Sequence, residues 1–314
     1  MHHGHTNRNQ IKKGEWMAGL SSNRLTGLRK QDRRIKIISC LVAIIIAIVF
    51  QFIPSGEISW AGPPFVTDDP EPVEYRHWEV YVASQHAKDK DGWSGTAPHF
   101  EVNYGVWPNV QLHMIAPLSY VKPNDSSTQY GFGDTELGVK YRFIQETDWR
   151  PQVGTFTMLE IPTGSSSKGL GSGHVRAFLP IWFQKSLGPW QSYGGGGYWI
   201  NPGFENKNYW FFGWQVQREL SKAITLGAEM FYNTPTAKGE GDRTGFNVGT
   251  IVNFTDEHHL LFSTGRDIHG SNRFSMYIAY QLTFGPHELK KNENKSEKLG
   301  QPIATSNGTK HEIK

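Results

Sequence analysis

Between residues 131 and 143 the chain reads GFGDTELGVKYRF, and from Asp134 onward nearly every second side chain changes character. Leu137, Val139, Tyr141 and Phe143 fall on one face. Asp134, Glu136, Lys140 and Arg142 fall on the other. A period of two is the mark of a strand whose two faces meet unlike surroundings. The apolar face ends in two aromatics, and the charged face carries both signs. One such strand suits a half-exposed soluble sheet. It equally suits a barrel wall with lipid outside and an enclosed polar lumen inside. Recurrence of the pattern separates the two.

The pattern recurs. Alternating segments are predicted at 76–86, 99–106, 110–120, 131–143, 152–161, 174–185, 190–200, 209–218, 222–232, 244–254, 259–267 and 274–284. Their connectors alternate in length. Long polar loops are expected at 87–98, 121–131, 162–173, 201–208, 233–243 and 268–273, and short turns at 107–109, 145–151, 186–189, 219–221 and 255–258. Short turns on one rim and longer loops on the other belong to an outer-membrane barrel, and a soluble sandwich has no reason to share the arrangement. Trp78, Tyr104, Trp107, Tyr141, Trp190, Trp210 and Phe284 lie near predicted strand ends, where amphipathic rings suit a membrane interface. The expected fold is all-β: a transmembrane, antiparallel, up-and-down barrel of about twelve strands.

A mean hydropathy of −0.51 looks soluble, but only alternate residues of such a barrel face lipid. The net charge of +3 is unevenly spread. Residues 1–61 carry +6 and residues 285–314 carry +2, which leaves −5 for the body. That distribution argues against nucleic acid as a partner.

Arg29, Lys30, Arg33, Arg34 and Lys36 precede the apolar run 37–53, which is followed by Ser59-Trp60-Ala61. This order predicts a signal peptide over 1–61 with a long basic start, cleaved after Ala61. A single membrane anchor is the competing reading. The one cysteine, Cys40, falls within the apolar run, so the mature chain would hold neither disulfide nor thiol catalyst. Residues 62–75, GPPFVTDDPEPVEY, are too proline-rich for a regular element. They read as an extended periplasmic lead-in. Asp68, Asp69, Glu71 and Glu74 read as a solvated acidic turn rather than a cation site, because no calcium-loop spacing is present. The barrel is expected over 76–284, and residues 285–314 as a disordered polar tail.

The face opposite the apolar one carries Glu79, Glu101, His113, Glu136, Lys140, Arg142, Glu160, Arg176 and Glu229. Cations facing lipid would be costly, so Lys140 and Arg142 are expected to turn inward and pair with Glu136 and Glu160. Two readings of this inward set compete. It lines a water-filled path and sets its selectivity, or it forms a salt-bridged filling. Inward Phe156, Met158, Phe178, Trp182 and Phe231 suit either an aromatic solute or packing. Ser84 and His86 stand two apart on one strand, but no acid or amide partner is evident. The histidines lack metal-site spacing, and the TGSSSKGLGSG stretch lacks the phosphate-loop pattern. No enzyme, cofactor or metal site is therefore expected.

Three stretches, PPFVTDDPEPVEYRHWEVYVAS, GFGDTELGVKYRF and the terminal AYQLTF, together resemble a family of Gram-negative outer-membrane proteins named for the meta-cleavage pathway of phenol degradation. The likeness covers most of residues 63–284. It implies a transporter in the outer membrane, surrounded by lipid. Separately, the last strand, MYIAYQLTF, ending at Phe284, resembles the C-terminal signal by which the outer-membrane assembly machinery recognises its barrels. The family likeness also implies small solutes, phenol-like ones among them, while the recurring alternation and connector lengths are read as a monomeric barrel. A structural or adhesive barrel with a plugged lumen is the alternative.

Overall fold

The computed structural model describes residues 63–286. The expected signal peptide over 1–61 lies outside the described residues, as does the tail beyond residue 286.

The described chain is one antiparallel sheet closed on itself. Its strands are β1 (Trp78–Lys88), β2 (Gly92–Trp107), β3 (Val110–Pro123), β4 (Gln129–Phe132), β5 (Thr135–Ile144), β6 (Gln152–Ile161), β7 (Arg176–Leu187), β8 (Trp190–Ile200), β9 (Tyr209–Ser221), β10 (Ile224–Asn233), β11 (Arg243–Asn253), β12 (His258–His269) and β13 (Phe274–Phe284). Apart from β4 and β5, which do not pair with each other, each pairs with its neighbours in sequence, and β1 closes on β13 from Trp78↔Phe284 to Lys88↔Phe274. Both β4 and β5 pair with β3, so these two are one stave broken at 133–134 and the barrel has twelve staves. The break has a cause. The Asp134 carboxylate turns aside to accept from the Gly164 amide (3.0 Å) and from the Ser172 amide and hydroxyl (2.6 and 2.8 Å). It thereby ties down the loop 162–175.

Two of the expected long loops are mostly strand. β1 and β2 continue to a tight turn at 89–91, and β3 runs to Pro123 before chain 124–128. Beyond an apolar belt a barrel wall has water on both faces, so its sequence there is as polar as a loop. The short turns at 108–109 and 188–189 use Asn109 and Gly188 at positive φ, as tight hairpins require.

The alternation sorts the wall as apolar outside and largely polar inside. Val82, Phe100, Leu112, Leu137, Val139 and Ile181 are exposed on the outer surface. Gln184, Gln215 and His259 are buried inside. Trp78, Tyr104 and Phe284 stack at the rim of short turns, with Trp78 and Tyr104 centred 4.2 Å apart. One stretch of wall is imperfect. The β6–β7 ladder lacks pairs for residues 155–157, opposite Pro180, which has no N–H to give. The Thr155 hydroxyl fills in, donating to the Pro180 carbonyl at 2.7 Å.

Candidate functional site

The lead-in does not lie outside the barrel as a solvated turn. Residues 63–75 run inside the ring, and Asp69 is 0% exposed. Of the expected acidic turn only Glu74 keeps its side chain in solvent.

Contacts to the lead-in come from all round the wall. The Ser263 hydroxyl of β12 donates to the Pro64 carbonyl. The Glu229 carboxylate of β10 accepts from two successive backbone amides, Val66 at 2.9 Å and Thr67 at 2.7 Å, and from the Asn247 side chain of β11. Lys140 Nζ of β5 donates to Asp68 at 2.8 Å and Asp69 at 3.3 Å. Glu71 accepts from Gln152 of β6 at 3.1 Å and Gln184 of β7 at 2.8 Å, and lies 3.6 Å from Arg142 of β5. The Val73 amide donates to the Gln111 side chain of β3 at 2.8 Å. The chain then turns through Arg76, whose φ is 68° and whose amide donates to the Gly105 carbonyl, and enters β1.

The sequence makes this docking feasible in two ways. Pro63, Pro64, Pro70 and Pro72 carry no N–H, so the segment brings few donors needing partners, and it starts stiff. The wall also leaves room. A Cβ at Gly213 would collide with Thr67, at Gly227 and Gly249 with the Phe65 ring, at Gly154 with Pro70, and at Gly105 with the Glu74 carbonyl. These glycines lie on different staves but trace one groove, and the backbone fits where side chains would stand. Burial pushes the Asp69 carboxyl well above the usual carboxylate range, against the pull of the Lys140 ammonium.

Lys140 and Arg142 thus pair differently from the sequence expectation. Four residues along an extended strand is about 13 Å, so Lys140 cannot reach Glu136. Glu136 faces His113 instead, with Nε2 at 2.9 Å, while His113 Nδ1 lies 2.6 Å from Asn103 and 3.6 Å from Glu101. Glu160 pairs with Arg176 at 2.6 Å, and Arg176 also donates to the Tyr209 hydroxyl. Glu79 accepts from the Tyr81 hydroxyl at 2.8 Å. The nine residues therefore fall into separate groups. Lys140, Arg142 and Glu229 hold the lead-in, Glu101, His113 and Glu136 form one network, Glu160 and Arg176 form a pair, and Glu79 bonds Tyr81.

Phe156, Phe178, Trp182, Phe211 and Phe231 pack on one another, each nearly fully buried, so here they fill space. Ser84 Oγ is 2.9 Å from His86 Nε2 but donates to the Thr96 carbonyl, and the third partner is the Tyr120 hydroxyl. Alternation alone could not find Asp68, Asp69, Glu71, Gln152, Gln184 or the glycine groove. The one signal was a cluster of acids among prolines in a chain whose lumen was expected to hold Lys140 and Arg142.

No family model and no curated protein matches the sequence, so neither supports the resemblance to the phenol-pathway family. Among solved structures, an outer membrane channel from Pseudomonas putida F1 is 18% identical, over 72% of this chain and 100% of that one, with a TM-score of 0.59. The KdgM porin in complex with disordered oligogalacturonate is 10% identical over 66% of this chain and 99% of that one, with a TM-score of 0.47. The NanC porin is 9% identical over 65% and 98%, with a TM-score of 0.46. What the chain shares with the Pseudomonas putida channel is its fold, a closed antiparallel barrel.

Proposed function

We propose that the protein is an outer-membrane channel for small solutes, narrowed by its own lead-in, residues 63–75. The observation that carries this reading is how the lead-in is held. Its anchors are hydrogen bonds and ion pairs from wall side chains, which water and solute can replace. Behind them stands a polar inner wall, while the outer wall offers the apolar belt a bilayer core takes. In the same reading the chain is exported by a signal peptide cleaved after Ala61. The assembly machinery inserts it through the strand ending at Phe284, and it works as a monomer. Glu79, Glu101, His113, Glu136, Glu160 and Arg176 line the bore around the lead-in.

The close approach of Thr67 to Gly213 gives the test. A Thr67→Cys, Gly213→Cys chain can be locked by a disulfide and released by reductant. In planar bilayers the locked form should conduct little and the released form more. Equal silence in both states, with the barrel folded, would sink the channel reading.

A second reading has its own support. The buried aromatic cluster and the docked lead-in leave the interior well filled, as a structural or adhesive barrel would require. Silence of the released form together with loss of stability favours that reading.

A further inference from the structure

We propose that the solutes this channel takes are small carboxylates with a compact apolar body, and that they displace the lead-in by taking over its carboxylate sites. The inference rests on the channel reading above and names the solute class for it.

Around Glu71 the wall supplies donors and no acid. Gln152 and Gln184 both aim their amide nitrogens at Glu71 Oε2, and both are buried. Arg142 completes the set, its guanidinium held by Asn109 through Nε at 3.1 Å and Nη2 at 2.9 Å and by Gln152 through Nη1 at 3.0 Å. This is a carboxylate receptor occupied by the chain's own carboxylate. Close by, Lys140, 4% exposed, donates to Asp68 and Asp69. The wall acids Glu136 and Glu160 are engaged with His113 and Arg176.

A buried cation that loses its partner is strongly disfavoured. The lead-in therefore leaves Lys140 and Arg142 most readily when another anion arrives. A neutral phenol or an amine cannot supply that charge. A solute carboxylate at each cation can, so that neither Lys140 nor Arg142 is left without an anion. The apolar body is argued from what lies between the two receptors. Pro70 is fully buried there and seats against Gly154, and the Phe156 ring lies 4.9 Å from Lys140 Nζ. A ring in place of Pro70 meets the same surfaces.

The test is conductance and reversal potential of the full chain in planar bilayers with benzoate, phenol or benzylammonium as the added solute. Three forms are compared: the native chain, Asp68→Asn with Glu71→Gln, and Lys140→Gln with Arg142→Gln. A heat-modifiability gel checks that each is folded. Benzoate should raise the native conductance severalfold, and phenol and benzylammonium should not. The Asp68→Asn, Glu71→Gln chain should conduct without added benzoate and prefer benzoate over benzylammonium. The Lys140→Gln, Arg142→Gln chain should conduct without that preference. Conductance in both variants with no preference in either overturns the carboxylate inference and leaves the channel reading standing. Silence of all three folded forms in every solute overturns both.

Discussion

Lys140 Nζ donates to Asp68 Oδ1 at 2.8 Å across 72 residues of sequence, joining the middle of β5 to the lead-in. Asp69, also in contact with Lys140, has no exposure at all. Lys140→Gln leaves both carboxylates without their cation, and breaking a buried pair costs about 3–5 kcal/mol. The lead-in should therefore leave its groove while the wall, whose ladders do not depend on the ammonium, stays intact. Limited proteolysis within 63–75, together with an unchanged heat-modifiability shift, checks this. A protected lead-in in the variant would show that its position depends on other contacts.

The glycine groove gives a test by size rather than charge. Gly213→Leu places a side chain where Thr67 stands. The expected result is a more conductive barrel that still folds but is less stable, since Glu229 loses the Val66 and Thr67 amides when the lead-in leaves. An outward control, Val216→Leu on the same strand, should leave conductance as it was.

The seam between β6 and β7 concerns stability. Thr155 is the partner of the Pro180 carbonyl where the ladder is missing. Thr155→Val keeps the shape and removes the donor, leaving a carbonyl unsatisfied in an apolar surrounding. The unfolding free energy in denaturant should fall by about 1–3 kcal/mol. Thr157→Val, whose nearest hydroxyl contact is a long 3.5 Å to Thr155, should cost less.

On β5, Val139 is exposed on the outer belt between inward Gly138 and Lys140. If that belt faces hydrocarbon, Val139→Lys should destabilise the barrel in lipid vesicles by about 2–4 kcal/mol. The same change in a water-exposed wall would be nearly neutral, so this single comparison tests membrane placement.

The fold was legible because a strand wall repeats one rule at every second residue. GFGDTELGVKYRF showed it, and eleven further segments repeated it. Misreadings fell where that rule carries no information. The extensions of β1, β2 and β3 have similar surroundings on both faces, so they read as loops. The break at Asp134 depends on a carboxylate reaching residues 164 and 172, which periodicity cannot report. The lead-in had no period to read, and its acids looked solvated because their cations lie some 70 residues or more away along the chain. Glycines at 154, 213, 227 and 249 carry no side chain for the alternation to sort. Only the closed ring brings them together as a groove.

The lead-in is fastened at successive points, from Pro64 on Ser263 through Glu229, Lys140 and Gln184 to Val73 on Gln111, and it is continuous with β1 beyond Arg76. If export removes residues 1–61 as proposed, the strap is fixed at one end and buttoned along its length, and it can peel from the other end one button at a time. Each partial release would widen the bore by a fixed step. Current through a single molecule should then rise as a short staircase of recurring levels, with the lowest steps visited most often.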